Sequence, residues 1–177
     1  MKFRIILLLM LVVSILSACV EDKNEVEDSP LYDGKSLTIA VVGKAPEVRE
    51  ENIQFKEIDL EEINLKNLSS AYDSVFIMKE HLSEAATAPY AKVYKTANIP
   101  FFFIESEKSY YPFIHEDIDY EEAYDLDSGA YALGYYQLSE KGQYWGFGLY
   151  NDTVNDTNVL DVYSRIFETI ESVDNES

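Results

Sequence analysis

Three short runs of consecutive apolar residues constrain this chain more than any other feature. They are Leu37–Val42 (LTIAVV), which stops at Gly43, Ser74–Met78 (SVFIM), and Phe101–Ile104 (FFFI), which follows Pro100. A strand turns alternate side chains to opposite faces, so a strand apolar at every position must be covered on both sides. Runs of four to six residues are also too short for buried helices. The three runs therefore predict the centre of a parallel sheet with a layer on each face.

The segments between them fit that expectation. Leu60–Leu68 places Leu60, Ile63, Leu65 and Leu68 at helical spacing, and Pro89–Ala97 does so with Tyr90, Val93, Tyr94 and Ala97. Ile53–Ile58 (IQFKEI) is more polar and suits a strand nearer the edge. Strand, helix, strand, helix, strand is a doubly wound pattern. Lys44–Asn52, however, is only nine residues long, short of the dozen or more that a helical crossover needs, so the sequence predicts a different connection between the first and second strands.

After Ile104 the pattern changes. Ala130–Leu138 and Tyr144–Tyr150 flank Ser-Glu-Lys-Gly-Gln and predict a hairpin, with Gly142 as the residue taking a positive φ. Gly146 and Gly148 alternate with Trp145, Phe147 and Leu149, which leaves one strand face bare. The chain then reads as a helix with the apolar stripe Val159, Tyr163, Ile166, Phe167, Ile170 and Val173. Asp156 or Thr157 is placed to cap it, and Asp161 to pair with Arg165 at i+4. The expected fold is α/β, a small three-layer, mostly parallel sheet of flavodoxin- or Rossmann-like type with a C-terminal antiparallel hairpin and a terminal helix.

Length and charge narrow the function. At 177 residues there is room for one ordinary core, and 14 Tyr, nine Phe and one Trp suffice to pack it. With 33 acidic against 14 basic side chains the formal charge is −19, which argues against a nucleic-acid partner because no basic stripe is available for phosphates.

The first 19 residues carry an address. Lys2 and Arg4 precede an apolar run from Ile5 to Leu16 and a small-residue exit, the layout of a secretory signal peptide. Even extended to Ala18 the run is ~21 Å long as a helix, against a hydrocarbon core of about 30 Å. Leu16-Ser17-Ala18-Cys19 resembles the lipobox of bacterial lipoproteins, and the tyrosine-rich, glycine-poor composition is similar to that of secreted lipoproteins of Bacillus-type Gram-positive bacteria. The resemblance implies removal of residues 1–18 and a diacylglyceryl group, with a further acyl chain such as palmitate, on Cys19. It leaves no thiol for a disulfide, a metal site or a nucleophile. Two chains anchor firmly at about 0.8 kcal/mol per buried CH₂, so the protein is expected on the extracytoplasmic face of the cell membrane. Loss of Lys2 and Arg4 leaves 12 basic and 33 acidic groups, a formal −21. Val20–Gly34, acidic and without periodicity, reads with Cys19 as a flexible tether, and 35–177 as the single folded domain.

Ligands of open α/β sheets sit beyond the carboxyl ends of the strands. Those ends read Gly43-Lys44, Lys79-Glu80-His81 and Glu105-Ser106-Glu107-Lys108. Lys44, Lys79, Glu80, His81, Glu105 and Lys108 are the candidate ligand residues, the lysines forming a cationic patch suited to a carboxylate or phosphate. The alternative is that these are solvated loop residues. His115–Asp127 carries seven carboxylates and no Lys or Arg, and Asp117, Asp119, Asp125 and Asp127 could hold calcium weakly, although neither Asp pair continues as an EF-hand loop. No other cofactor is indicated. Nine tyrosines and Trp145 lie between Tyr110 and Tyr150, either as a platform for sugar rings of the cell wall or as cross-strand pairs that stabilise the hairpin.

Enzyme motifs fail. Gly43-Lys44 has no glycine five residues before it, Gly146-Phe147-Gly148 lacks the third glycine of a dinucleotide fingerprint, and neither Gly-x-Ser-x-Gly nor His-Glu-x-x-His occurs. Asp127-Ser128-Gly129 resembles the catalytic turn of aspartic proteases but has no second copy in the chain. The sequence thus points to a membrane-anchored binding or accessory module. The competing readings are a wall-associated hydrolase using Glu80, His81 and Glu105, and an anionic body that docks on a basic protein partner.

Overall fold

A computed structural model describes residues 24–27, 29–64, 68–126, 129–139 and 141–176. Six strands form one sheet in the order β2-β1-β3-β4-β5-β6. β1 (Leu37–Val42), β2 (Ile53–Ile58), β3 (Ser74–Ile77) and β4 (Phe101–Ile104) are parallel, while β5 (Ala130–Leu138) runs antiparallel beside β4 and β6 (Lys141–Gly148) antiparallel beside β5. The apolar runs are the three central parallel strands. β3 and β4 are buried at every position, and β1 at all but Thr38.

Each face of the sheet has its own core. On one side Val42, Val75, Ile77, Phe101 and Phe103 pack against short helical pieces. These are a 3-10 turn over Leu60–Asn64 and the helices α1 (Leu68–Ala71), α2 (Leu82–Ala85), α3 (Ala88–Tyr94) and α4 (Tyr111–Ile114). Tyr94 is buried here, and its hydroxyl donates to the Ala85 carbonyl at 2.8 Å, so the phenol is satisfied inside the core. Of the helix expected over Leu60–Leu68, Leu60–Asn64 is a 3-10 turn and Leu68 opens α1, and residues 65–67 lie outside the described residues.

On the other face lies one long helix, α5 (Asp156–Glu176). Its stripe of Tyr163, Ile166, Phe167 and Ile170 covers Ile39, Val41, Phe76 and Phe102. Phe76 is the hub: its ring meets Phe102 edge-on at 5.6 Å and stacks near-parallel with Phe167 at 6.4 Å. The cap of α5 is Asn155, not Asp156 or Thr157, since Asn155 Oδ1 accepts the Asn158 N–H at 2.9 Å. The expected Asp161–Arg165 pair forms at 2.9 Å, and Arg165 also reaches the Gly148 carbonyl, tying α5 to β6.

The connection from Gly43 to Asn52 brings β2 back parallel to β1, with Leu37 opposite Ile53, but contains no helix. It crosses on the α5 face, where Ala45 and Val48 pack against the core. Glu50, 7% exposed, accepts the Ser164 hydroxyl and the Tyr32 and Arg49 amides, which fixes the crossover to α5.

Two expectations are corrected by geometry. Among the described residues of the β5–β6 turn a positive φ is held by Ser139 (54°) and not by Gly142, which is already in the strand opposite Gln137. The ordered unit also starts well before Lys35. Asn24 and Val26 bond to Asn158, Ser29 to Asp161, and the Lys35 amide to Glu171, so this segment is a strap running down α5. Tyr32 is buried within it, 6.0 Å from the Phe167 ring. Buried aromatic area and a row of hydrogen bonds hold it where a free coil was expected.

Candidate functional site

The carboxyl edge of the sheet is built from strained backbone. Gly43 ends β1 at φ 113°, and a Cβ there would lie 2.8 Å from Glu80 Oε1 and 2.9 Å from Met78 Cβ. Glu105 ends β4 at φ 56°, a left-handed conformation that a non-glycine residue holds only when its surroundings impose it. Its amide donates to the Tyr131 carbonyl at 2.6 Å, which provides that constraint.

Three depressions open on this edge. The first, of about 380 Å³, lies beside β2 and is lined by His81 with Glu57, Asp59, Glu61, Glu62 and Glu84. The second, of about 570 Å³, lies over the first turns of α5. Met78, Val159 and Leu160 supply its apolar lining, and Lys44, Glu47, Glu80 and Asp156 its charges. The third, of about 460 Å³, holds Lys79, Glu105, Glu107 and Asp125. Tyr131 lines both of the last two, and its hydroxyl donates toward Glu105 Oε1 at 3.5 Å. Burial first, and the Glu105 charge second, raise the Tyr131 pKa, while burial and then Tyr131 raise that of Tyr163 far more. Both phenols are neutral donors at physiological pH.

The expected residues are therefore all at the edge, but not at one site. Glu80, His81 and Glu105 line three separate depressions, so the acid and base of the hydrolase reading do not share a cleft. The cationic patch does not form as expected either. Lys79 pairs with Glu107 at 3.0 Å and Lys108 with Asp125 at 2.7 Å, which offsets two of its three charges. The hydrogen bond to the neighbouring carboxylate is the main cause raising the pKa of each lysine. In a chain with so many carboxylates, a lysine at a strand end finds an acid before it finds a ligand.

Asp117, Asp119 and Asp125 are exposed, Asp125 is held by Lys108, and Asp127 and Ser128 lie outside the described residues. Among the described residues no group of three or more His, Cys, Asp or Glu is placed to hold a metal ion. The aromatic cluster is a pile rather than a platform. Tyr110 stacks on Tyr144 at 4.0 Å and on Tyr111 at 4.9 Å, and Tyr111 stacks in turn on His115 at 5.4 Å. Tyr110, at the centre of the pile, has rings stacked on it from both neighbours, while Tyr124 and Tyr150 lie exposed apart from it.

Tyr131 and Glu47 carry no site signal in the sequence, and Tyr163 and Asp156 read there only as a core residue and a helix cap. Each sits in a strand, a helix or a loop whose local pattern is ordinary, and only the packing of α5 across the sheet face brings them to one cleft. Among the described residues no helix is long and apolar enough to cross a membrane. Comparison with protein-family models, curated proteins and solved structures finds no match to this chain.

Proposed function

We propose that this chain is a lipid-anchored extracytoplasmic lipoprotein whose α/β domain is a non-enzymatic binding module, with the cleft over α5 as its ligand site. The anchor rests on Leu16-Ser17-Ala18-Cys19, where lipidation explains both the single cysteine and its position after a signal-peptide core. The observation that carries the binding site is the composition of the cleft: an apolar lining from Met78, Val159 and Leu160, ringed by Glu47, Glu80 and Asp156 against one cation, Lys44. That balance suits a ligand with an apolar body and an amine, not the carboxylate or phosphate expected from the strand-end lysines. The dispersal of Glu80, His81 and Glu105 supports binding over acid–base catalysis.

Two measurements test the reading. Mass spectrometry of the protein purified from membranes should find the N-terminal peptide beginning at a diacylglyceryl-modified Cys19, and an unmodified thiol there rejects the anchor. Thermal unfolding of the full chain should be measured with alkylamines, phosphate, small carboxylates, calcium and cell-wall fragments. A ligand at 100 times its Kd adds about 2.7 kcal/mol and should raise the midpoint by roughly 5–10 °C. A shift with alkylamines that disappears in Glu80→Gln/Asp156→Asn supports the cleft. Shifts confined to phosphate, carboxylates or calcium reject this ligand class.

A further inference from the structure

The strap changes what the anchor does to the domain. Its described part begins at Asn24, whose carbonyl accepts from the side chains of Asn155 at 2.9 Å and Asn158 at 2.8 Å. Asn158 is fully buried at the first turn of α5, and its Oδ1 also takes the Val26 amide at 2.9 Å. Asp156, Val159 and Leu160 of these same turns line the cleft. The chain therefore enters the fold at the carboxyl edge of the sheet, runs down α5 past Asp161 to Glu171, and only then turns into β1.

Only five residue steps separate Cys19 from Asn24. Fully extended, five steps reach ~17 Å. A free tether of fifteen residues would leave the domain able to rotate, whereas this one ties one named edge of the sheet to the bilayer surface.

We infer that the carboxyl edge of the sheet is the membrane-facing surface of the protein, with the headgroup layer as its partner and the cleft over α5 opening onto the gap between them. The inference rests on the lipid anchor of the proposed function. Adhesion does not set the orientation, because the edge carries Glu47, Glu80, Glu105, Glu107, Asp152 and Asp156 and is repelled by anionic lipid. That repulsion is screened over ~8 Å at physiological ionic strength, so it holds the gap open without overcoming the covalent tie. A ligand reaching the cleft is one displayed at the headgroup layer or small enough to diffuse within the gap.

The test uses the full lipidated chain in vesicles whose headgroups carry an acceptor dye at low density. With Cys19 acylated, a donor dye can be placed at a single thiol in Lys44→Cys, at the carboxyl edge, or Lys95→Cys, beyond α3 toward the amino edge; both positions are exposed. The two edges are separated by the height of the sheet, ~20 Å for six residues at ~3.3 Å, so transfer from position 44 should be at least about two-fold higher. Equal transfer, or more from position 95, overturns the inference. A flexible 15-residue Gly-Ser insertion between Lys23 and Asn24 should abolish the difference; a difference that survives the insertion shows that another contact orients the domain, and also overturns it. If the uncut or unacylated chain is recovered, with Cys19 itself taking the dye and no protein floating with the vesicles, the anchor has failed rather than the orientation.

Discussion

Asn158 and Asn24, 134 positions apart, are joined by a side-chain to backbone hydrogen bond of 2.8 Å at the point where the N-terminal strap meets α5. The Asn158 amide also donates to the carbonyls of Thr153 at 2.9 Å and Tyr150 at 3.3 Å. One buried side chain thus holds together the strap, the turn after β6 and the first turn of the helix. Asn158→Ala should remove four partly buried side-chain to backbone hydrogen bonds, at about 0.5–1.5 kcal/mol each. We expect the unfolding midpoint to fall by more than about 5 °C, and limited proteolysis to cut between Asn24 and Leu31 well before the domain is lost. Unchanged protease resistance would mean the strap is held elsewhere.

Glu50 and Ser164 make the corresponding tie for the crossover. Glu50→Ala removes the acceptor for the Ser164 hydroxyl and the Tyr32 amide in a site closed to water. A loss of about 1–3 kcal/mol is expected in denaturant titration, larger than for Glu51→Ala next to it, which is exposed.

Gly43 has no substitute. At φ 113°, and with Glu80 and Met78 inside 3 Å of any Cβ, Gly43→Ala combines backbone strain with overpacking. Equilibrium unfolding should show a loss of about 2 kcal/mol or more, with amine binding to the cleft weakened as Glu80 is displaced. A neutral result would contradict the close approach of β1 and the β3 end.

Trp145 reports on the sheet. Gly134 lies between Phe102 and Trp145, whose rings stack across it at 6.3 Å, and a Cβ at that position would meet both rings at 2.8 Å. Gly134→Ala should cost about 1–3 kcal/mol and shift the emission of the single tryptophan to the red as its ring moves outward. Emission unchanged from the parent would place Trp145 elsewhere.

Alkaline pH should unfold the domain through its tyrosines. Burial first, then the neighbouring Tyr111 and Tyr144, push Tyr110 up to about 12, and burial raises Tyr32, Tyr94 and Tyr163 further. A folded pKa above the unfolded value of about 10 means the neutral phenol is favoured in the fold. Stability from these groups is then complete below pH ~10 and declines as pH rises past it, toward and beyond 12. Absorbance at the phenolate band from the buried tyrosines should rise late, together with loss of the fold. A single early stage with the fold intact would refute the buried cluster.

Much of the architecture was legible locally. Apolar runs at Leu37, Val75 and Phe101 mark strands covered on both faces, the alternation around Trp145 marks an antiparallel pair, and the stripe from Val159 to Val173 marks the long helix. Each is a periodicity of neighbouring residues, and the geometry of strand or helix converts it directly into a buried face. The nine residues from Lys44 to Asn52 even indicated that the first connection departs from an ordinary helical crossover. What the chain could not display was its long-range pairing. Whether Lys79 meets Glu107, whether Lys108 meets Asp125, and whether Glu80 and His81, adjacent in sequence, open into one cleft or two depends on where the sheet's topology carries each strand end. The same holds for the strap: Asn24 and Val26 sit in a polar, aperiodic stretch that reads as coil, and they become structure only because folding brings Asn158 beside them. Local side-chain spacing sets the elements, while the hydrogen bonds and ion pairs that shape the carboxyl edge and hold the strap link residues 17 to 134 positions apart.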